Sequence, residues 1–175
     1  SLSGQHNLEN LAAAVATTRI LGLGTKTIQK GVESFKGLAG RLEFVGQKQG
    51  IKFINDTTST IPEATIAGLG AIFENRREPF KLNEQNGLIL IAGGADKNLS
   101  FGNLSAMVAE KIKQGRIKAV LLLEGTATEK LEKSLKSALE KEQKRPEEFV
   151  FIFSSLQQAM DKSFELAKEG DIVLI

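Results

Sequence analysis

The chain has 175 residues, 41% of them hydrophobic and 25% charged, and its 23 basic and 21 acidic residues give a formal net charge of +2. These proportions indicate a soluble globular protein, and the interleaved charges provide no basic stripe of the kind that binds nucleic acid. The absence of cysteine excludes disulfides and thiolate sites. The sequence has no signal-peptide pattern, and no apolar run approaches the roughly 20 residues that cross a bilayer, so we expect neither secretion nor a membrane span.

The first 40 residues have the spacing of two helices. Apolar residues recur every three or four positions from Leu8 to Val15, which makes one helical face. Gly22 and Gly24 are expected to end this helix, and Thr25 is placed to cap a second one. The chain is therefore predicted to open with a helical pair.

From residue 41 onward, short apolar runs alternate with helical spacings. Six runs have strand character, and they are residues 42–47, 51–54, 88–92, 118–123, 149–153 and 172–175. The first two flank a short turn and are expected to form a hairpin. Alternation of strand and helix with short links indicates right-handed βαβ crossovers. The sequence thus predicts an α/β fold, a Rossmann-like, mostly parallel sheet flanked by helices and preceded by the helical pair.

Local signals mark where the helices of this region begin and end. Proline suits a first helical turn, hydroxyl side chains cap N-termini, and glycine suits C-termini. The expected signals, in chain order, are Pro62, Ser100, the pair Thr126 and Glu129, the pair Ser155 and Gln158, and Gly170.

Two regions are predicted, residues 1–40 and residues 41–175. At their boundary, Arg41 and Glu43 could form a hinge pair or a surface salt bridge, and the residues alone favour the salt bridge. Each earlier strand is followed by a polar loop, and the chain stops at Ile175 inside its last strand. We therefore expect the second region to be truncated at its C-terminus.

Two polar loops follow buried strands and are the main candidates for function. Residues 55–60 read Asn-Asp-Thr-Thr-Ser-Thr, and residues 93–97 read Gly-Gly-Ala-Asp-Lys. In open α/β sheets, ligands bind outside the carboxyl ends of the strands, where such loops gather. Hydroxyls, a carboxylate, a glycine pair and a lysine favour a small anionic or phosphorylated ligand.

Each residue also has a simple structural interpretation. Asp56 could be a turn acid, one of the hydroxyls in residues 57–60 could be a helix cap, and Lys97 could be a solvated surface residue. Four consecutive hydroxyls exceed what capping needs, and a lysine after Gly-Gly-Ala-Asp at a strand end suits a carboxylate or phosphate. Glu124 and Ser154 follow two other strands, at the same edge of the predicted sheet, and are weaker candidates.

Four ordered motifs resemble those of the Mur ligases. Residues 4–10 are similar to the family's G-x-H-N-x-x-N segment, and residues 35–43 are similar to its F-x-G-L-x-H-R-x-E junction. Asn55-Asp56 with the hydroxyl-rich loop, and the Gly93–Lys97 loop, resemble the branch that adds D-glutamate to UDP-N-acetylmuramoyl-L-alanine.

The resemblance implies a three-domain cytoplasmic enzyme of peptidoglycan synthesis. Residues 1–40 would be the helical end of its central ATPase domain, and residues 41–175 its C-terminal Rossmann-like ligase domain. ATP with Mg²⁺ would phosphorylate the carboxylate of UDP-N-acetylmuramoyl-L-alanine, and the amine of D-glutamate would attack the acyl phosphate to form an amide. The phosphate-binding loop and the metal ligands would lie in the rest of the polypeptide, so this chain alone is expected to be inactive.

Site residues carry over by position in the motifs. The nucleotide would be bound by Asn7, Asn10, Arg41 and Asp56, and D-glutamate by Thr58, Thr60 and Lys97. Two positions depart from the pattern, because Thr58 stands where the family has a lysine and Gly40 stands where it has a histidine.

Two other functions remain open at this point. The first is another ligase of the superfamily, a Mur or folylpolyglutamate type that takes a different amino acid or a folate. The second is a non-catalytic nucleotide-binding α/β module joined to no ATPase. Testing a panel of amino acids as substrates would distinguish another ligase from the D-glutamate ligase. The absence of an upstream G-x-x-G-K-[ST] motif would indicate the non-catalytic module.

Overall fold

The computed structural model describes residues 4–75 and 78–175, except the side chains of Gln5 and His6. It opens with the predicted helical pair, α1 at Gln5–Ile20 and α2 at Thr25–Ser34. Gly24, and not Thr25, occupies the N-cap position of α2. The prediction was one residue late because the Thr25 hydroxyl accepts a hydrogen bond from the Arg19 guanidinium instead (3.2 Å).

Six strands form one sheet. They are β1 at Glu43–Lys48, β2 at Ile51–Asn55, β3 at Leu88–Gly93, β4 at Ile117–Leu123, β5 at Val150–Phe153 and β6 at Ile172–Leu174. The strand order is β1-β2-β6-β3-β4-β5. The β1–β2 hairpin is antiparallel, and the other four strand pairs among the described residues are parallel. The last strand of the chain therefore lies between β2 and β3, the two strands that precede the polar loops.

Helices cover both faces of the sheet. The helices are α3 at Pro62–Glu74, α4 at Gly102–Lys113, α5 at Thr128–Lys141 and α6 at Leu156–Leu166. The first three pack on one face, where Leu69, Val108 and Leu135 meet one set of alternating strand residues. Ala159 of α6 packs on the opposite face against the other set. The predicted fold, a Rossmann-like, mostly parallel sheet preceded by a helical pair, is confirmed.

Two of the predicted helix signals are confirmed. Pro62 lies in the first turn of α3. The Ser155 hydroxyl accepts a hydrogen bond from the backbone N–H of Gln158 at the start of α6. Both signals act within three residues of the helix start, which is why the local sequence was sufficient to find them.

Three other signals were misplaced. Phe101, one residue after Ser100, is the N-cap of α4, and Ala127, one residue after Thr126, is the N-cap of α5. Gly170 does not end α6, whose C-cap is Ala167. It lies instead in the turn before β6 with a φ of +89°, where an added Cβ would lie 2.6 Å from the side-chain amide nitrogen of Asn86.

The segment between α3 and β3 was predicted as a polar surface loop from Asn75 to Asn86. It has no regular structure where it is described, but Phe80 within it is 6% exposed and packs into the core. Residues 76–77 of this predicted loop lie outside the described part of the chain.

No helix in the described ranges has the length and apolar character needed to cross a membrane.

Candidate functional site

The two polar loops line one cavity at the carboxyl edge of the sheet. It has a volume of about 420 Å³. The rim carries Asp56, Thr57, Ser59, Thr60 and Lys97, and the interior is apolar, with contributions from Leu90, Leu104, Leu123, Leu131 and Leu174. The amino end of α3 also opens onto this cavity, and the positive end of a helix dipole favours anions there. The predicted grouping of the loops is present in the structure.

Lys97 is the exposed cation of this rim. Within residues 4–75 and 78–175, it forms no ion pair. The carboxylate of its neighbour Asp96 instead accepts a hydrogen bond from the backbone N–H of Asn98 (2.8 Å) and lies 3.6 Å from the ammonium group of Lys130. Because Asp96 is engaged by Asn98 and Lys130, it does not neutralise the exposed charge of Lys97.

The glycine-rich loop that carries Lys97 is held from the start of α5. The Thr126 hydroxyl accepts a hydrogen bond from the backbone N–H of Asp96 (2.8 Å), and the backbone N–H of Ala127 donates to the carbonyl of Gly94 (3.1 Å). An added Cβ at Gly125 would lie 2.5 Å from that same carbonyl oxygen. The close approach of these two turns therefore requires glycine at position 125.

Asp56 lines the cavity, but its carboxylate has partners within the chain. One oxygen accepts from the backbone N–H of Leu42 (2.9 Å) and the other from the Ser59 hydroxyl (2.6 Å). The residue is 6% exposed. Its observed contacts hold the strand end and the loop together, as the turn-acid interpretation expects.

Thr58 and Thr60 have different surroundings, although both were predicted to bind the amino acid. Thr60 is exposed at the cavity rim. Thr58 is not part of the cavity lining, and its hydroxyl donates to the carbonyl of Gly40 (2.7 Å). Thr60 and Lys97 therefore line the same cavity, whereas the Thr58 hydroxyl is bonded to the backbone of Gly40.

A second cavity, of about 560 Å³, lies between α1, α2 and the segment that follows them. Three of the four residues predicted to bind the nucleotide line it, namely Asn7, Asn10 and Arg41. Most of the remaining lining is apolar, and it includes Leu11, Val15, Ile28 and Phe35. Asp56, the fourth predicted residue, lines the other cavity.

The salt bridge expected between Arg41 and Glu43 is absent. The Glu43 carboxylate instead accepts from the backbone N–H of Gly40 (2.8 Å) and from the side-chain amide of Asn55 (3.3 Å). The prediction was wrong because backbone and amide donors occupy the carboxylate, and Arg41 is left to line the second cavity.

The site thus has an amide- and guanidinium-bearing groove and a lysine- and hydroxyl-bearing cavity, joined through residues 40–43. A sequence profile for the family described as "Mur ligase, glutamate ligase domain" matches residues 40–175. The chain belongs to this Mur ligase family. The resemblance drawn from the four motifs is confirmed at the level of the family.

Curated relatives extend the match over residues 1–40. A protein of Roseiflexus sp. (strain RS-1) named UDP-N-acetylmuramoylalanine–D-glutamate ligase is 36% identical over 174 residues, which cover 99% of this chain and 33% of the relative. A protein of Caldicellulosiruptor bescii with the same name is 38% identical over 174 residues, with the same coverage. The Mur ligase chain described here therefore spans about a third of the length of the curated relatives it matches.

Solved structures show the same fold. MurF from Acinetobacter baumannii aligns with a TM-score of 0.65 over 98% of this chain and 35% of that protein, at 18% sequence identity. At this identity, the likeness establishes the arrangement of strands and helices and nothing about the ligand.

The resemblance to the Mur ligases implies a magnesium ion, whose ligands are expected in the rest of the polypeptide. Among the described residues, no group of three or more His, Asp or Glu side chains is arranged to hold a metal ion. No chemical step is therefore assigned to a metal bound by this chain.

The sequence did not reveal the contacts that support the site. The two loops are held in place by contacts with other segments or within the turn, made by Thr126, Lys130, Glu43 and Ser59. Thr126 was interpreted as a helix cap, since a contact with Asp96, 30 residues away, leaves no local signal. The two weaker candidates, Glu124 and Ser154, are not part of the cavity lining.

Proposed function

We propose that this chain is the amino-acid-binding part of an ATP-dependent ligase that adds D-glutamate to UDP-N-acetylmuramoyl-L-alanine in peptidoglycan synthesis in the cytoplasm. In this proposal, residues 1–40 are the helical end of the central ATPase domain and residues 41–175 are the C-terminal ligase domain. The names of the curated relatives support the substrate assignment. The observation that carries the proposal is the unpaired Lys97 beside hydroxyl groups at the rim of one cavity.

The proposed chemistry is amide formation through an acyl phosphate. ATP transfers its terminal phosphoryl group to the carboxylate of UDP-N-acetylmuramoyl-L-alanine and leaves as ADP. The amine of D-glutamate then attacks the acyl carbon and the C–N bond forms. The C–O bond to the phosphoryl group breaks, inorganic phosphate leaves, and the nitrogen gives up a proton to solvent. This chain contributes binding and orientation, since a correctly held amine converts an encounter of two molecules into a reaction within one complex.

Within this scheme, Lys97 pairs with a carboxylate of D-glutamate, and the Thr60 hydroxyl donates to a carboxylate oxygen. Charge-assisted hydrogen bonds of this kind are among the strongest that a protein makes to a ligand. The amino end of α3 adds a favourable field for the same anion. Asn7, Asn10 and Arg41 are proposed to contact the nucleotide from the second cavity, where the apolar lining suits a base and the guanidinium suits a phosphate.

D-glutamate binding to this chain tests the proposal directly. We expect addition of D-glutamate to shift the amide resonances of residues 55–60 and 93–97 in an NMR titration. Lys97→Ala should abolish the shifts, while Lys133→Ala, which removes an exposed lysine of α5, should leave them unchanged. Equal responses in the two variants would contradict the assignment of Lys97.

The alternatives predict different results in the same titration. Another ligase of the Mur or folylpolyglutamate type would respond to a different amino acid at the same resonances. A non-catalytic nucleotide-binding module would respond to ATP at Asn7, Asn10 and Arg41 and to no amino acid. In every case, we expect this chain alone to show no ligase turnover.

A further inference from the structure

The loop at residues 55–60 is fastened to the segment that links the helical pair to the sheet. The backbone N–H and the hydroxyl of Thr58 both donate to the carbonyl of Gly40, at 2.9 and 2.7 Å. Two further bonds join the same segments, from the Leu42 N–H to the Asp56 carboxylate and from the Asn55 amide to the Glu43 carboxylate. Two stretches more than ten residues apart are therefore held as one unit.

The contact between residues 40 and 58 is tight and depends on glycine. Gly40 is buried and has a φ of +70°, in the left-handed region that favours glycine. A Cβ added there would lie 3.1 Å from the Thr58 Cγ2 atom and 3.2 Å from the Thr57 hydroxyl oxygen. A side chain at position 40 would therefore displace Thr58 or Thr57, so the close contact of the two segments depends on glycine.

This contact lies between the two cavities. Arg41, the residue after Gly40, lines the cavity assigned to the nucleotide. Thr57 and Ser59, on either side of Thr58, line the cavity assigned to the amino acid, whereas Thr58 itself lines neither. The Gly40 carbonyl therefore links the backbone next to Arg41 to the loop that carries Thr60.

We propose that Thr58 is a positioning residue that couples the nucleotide cavity to the amino-acid cavity through its bond to Gly40, a role that rests on the proposed ligase function. It acts on D-glutamate through the placement of Thr60 and makes no contact with the amino acid itself. Nucleotide binding fixes Arg41, and the Thr58–Gly40 contact then fixes the loop in the arrangement that receives the amino acid. By linkage, the amino acid strengthens nucleotide binding by the same factor.

The test compares Thr58→Val with Thr58→Ser in the complete ligase. Valine keeps the shape and the backbone N–H of the residue but removes the hydroxyl donor, whereas serine keeps the donor. The control is Thr17→Val, which removes an exposed hydroxyl that also donates to a backbone carbonyl, that of Ala13. The dissociation constant of the amino acid is measured with and without a non-hydrolysable ATP analogue.

We expect the analogue to tighten amino-acid binding in the unmodified enzyme, the Thr17→Val variant and the Thr58→Ser variant. In Thr58→Val, this tightening should fall by about 3- to 10-fold, the range that one neutral hydrogen bond contributes. The ratio of the dissociation constants without and with the analogue measures this tightening. If the ratio is unchanged in Thr58→Val, or if the analogue has no effect in the unmodified enzyme, the coupling role is overturned. Equal loss in Thr58→Val and Thr58→Ser would also overturn it, since the hydroxyl would then not be the group responsible.

The proposed function fails in a different way. The binding measurement uses whichever amino acid supports ADP release in the unmodified enzyme. If that amino acid is not D-glutamate, the substrate assignment is wrong, but the effect of the ATP analogue on amino-acid binding can still be measured. Absence of release with every amino acid would overturn both proposals. A second readout needs no substrate: in this chain, Thr58→Val should raise the amide hydrogen exchange of residues 40–42, and Thr58→Ser should not.

Discussion

The carboxylate of Asp56 accepts a hydrogen bond from the backbone N–H of Leu42 at 2.9 Å. Leu42 is buried and has a φ of +44°, which is uncommon for a residue other than glycine. The bond thus holds a strained turn at the start of the sheet. It also places the residue after Arg41 in direct contact with the loop that follows β2.

Asp56→Ala should lower the free energy of unfolding by about 2–4 kcal/mol, because it leaves the Leu42 N–H and the Ser59 hydroxyl without their acceptor. Urea denaturation measures this. Asp161→Ala, which removes an exposed aspartate of α6, should stay within about 0.5 kcal/mol of the unmodified chain. A loss for Asp56→Ala no larger than that of the control would show that Asp56 is not a structural residue and would favour a direct role in binding.

Gly125→Ala should destabilise the chain by about 1–3 kcal/mol and weaken D-glutamate binding, because its Cβ would meet the carbonyl of Gly94 at 2.5 Å. Gly70→Ala is the matched control. Its Cβ would have no neighbour within 4 Å, and alanine in the middle of α3 should stabilise the chain by about 0.5–1 kcal/mol. Thermal unfolding and an NMR titration report both effects. Unaltered ligand affinity in Gly125→Ala would contradict the role given to the close approach of these turns.

Lys130→Ala should weaken D-glutamate binding by about 2- to 5-fold at low salt, since Asp96 would lose its cation and compete for Lys97. The effect should fade at high salt because the groups are exposed. Lys133→Ala, one turn further along α5, carries the same change in net charge and should not affect binding. A salt-independent loss, or equal losses in the two variants, would rule out this electrostatic explanation.

The sequence was sufficient for the fold because its signals are periodic. The six predicted strands match the observed ones to within one residue at either end, and the helical pair and the crossover helices are where the apolar spacing placed them. Alternating strand residues divide between the two faces of the sheet, as the pleat requires. The Ser155 cap was found for a different reason, since its partner Gln158 lies only three residues away.

The supporting contacts of the site could not be predicted because they join distant parts of the chain. Thr126 has the spacing of a capping box, yet its hydroxyl accepts a bond from Asp96. Glu43 was expected to pair with Arg41, but its carboxylate accepts hydrogen bonds from the Gly40 N–H and the Asn55 amide instead. Thr58 stands where the family has a lysine, and only the structure shows that its hydroxyl reaches Gly40, the other departure from the family pattern. The two departures from the motif are in contact.

The most direct test of the central claim is ADP release by the complete ligase that carries this chain, with ATP, magnesium and UDP-N-acetylmuramoyl-L-alanine, across a panel of amino acids. We expect release only with D-glutamate, and Lys97→Ala should raise the KM for D-glutamate by about 10- to 100-fold, the range for a hydrogen bond to a charged group. Lys133→Ala should match the unmodified enzyme. Release with a different amino acid, or an unchanged KM in Lys97→Ala, would contradict the assignment of this cavity to D-glutamate.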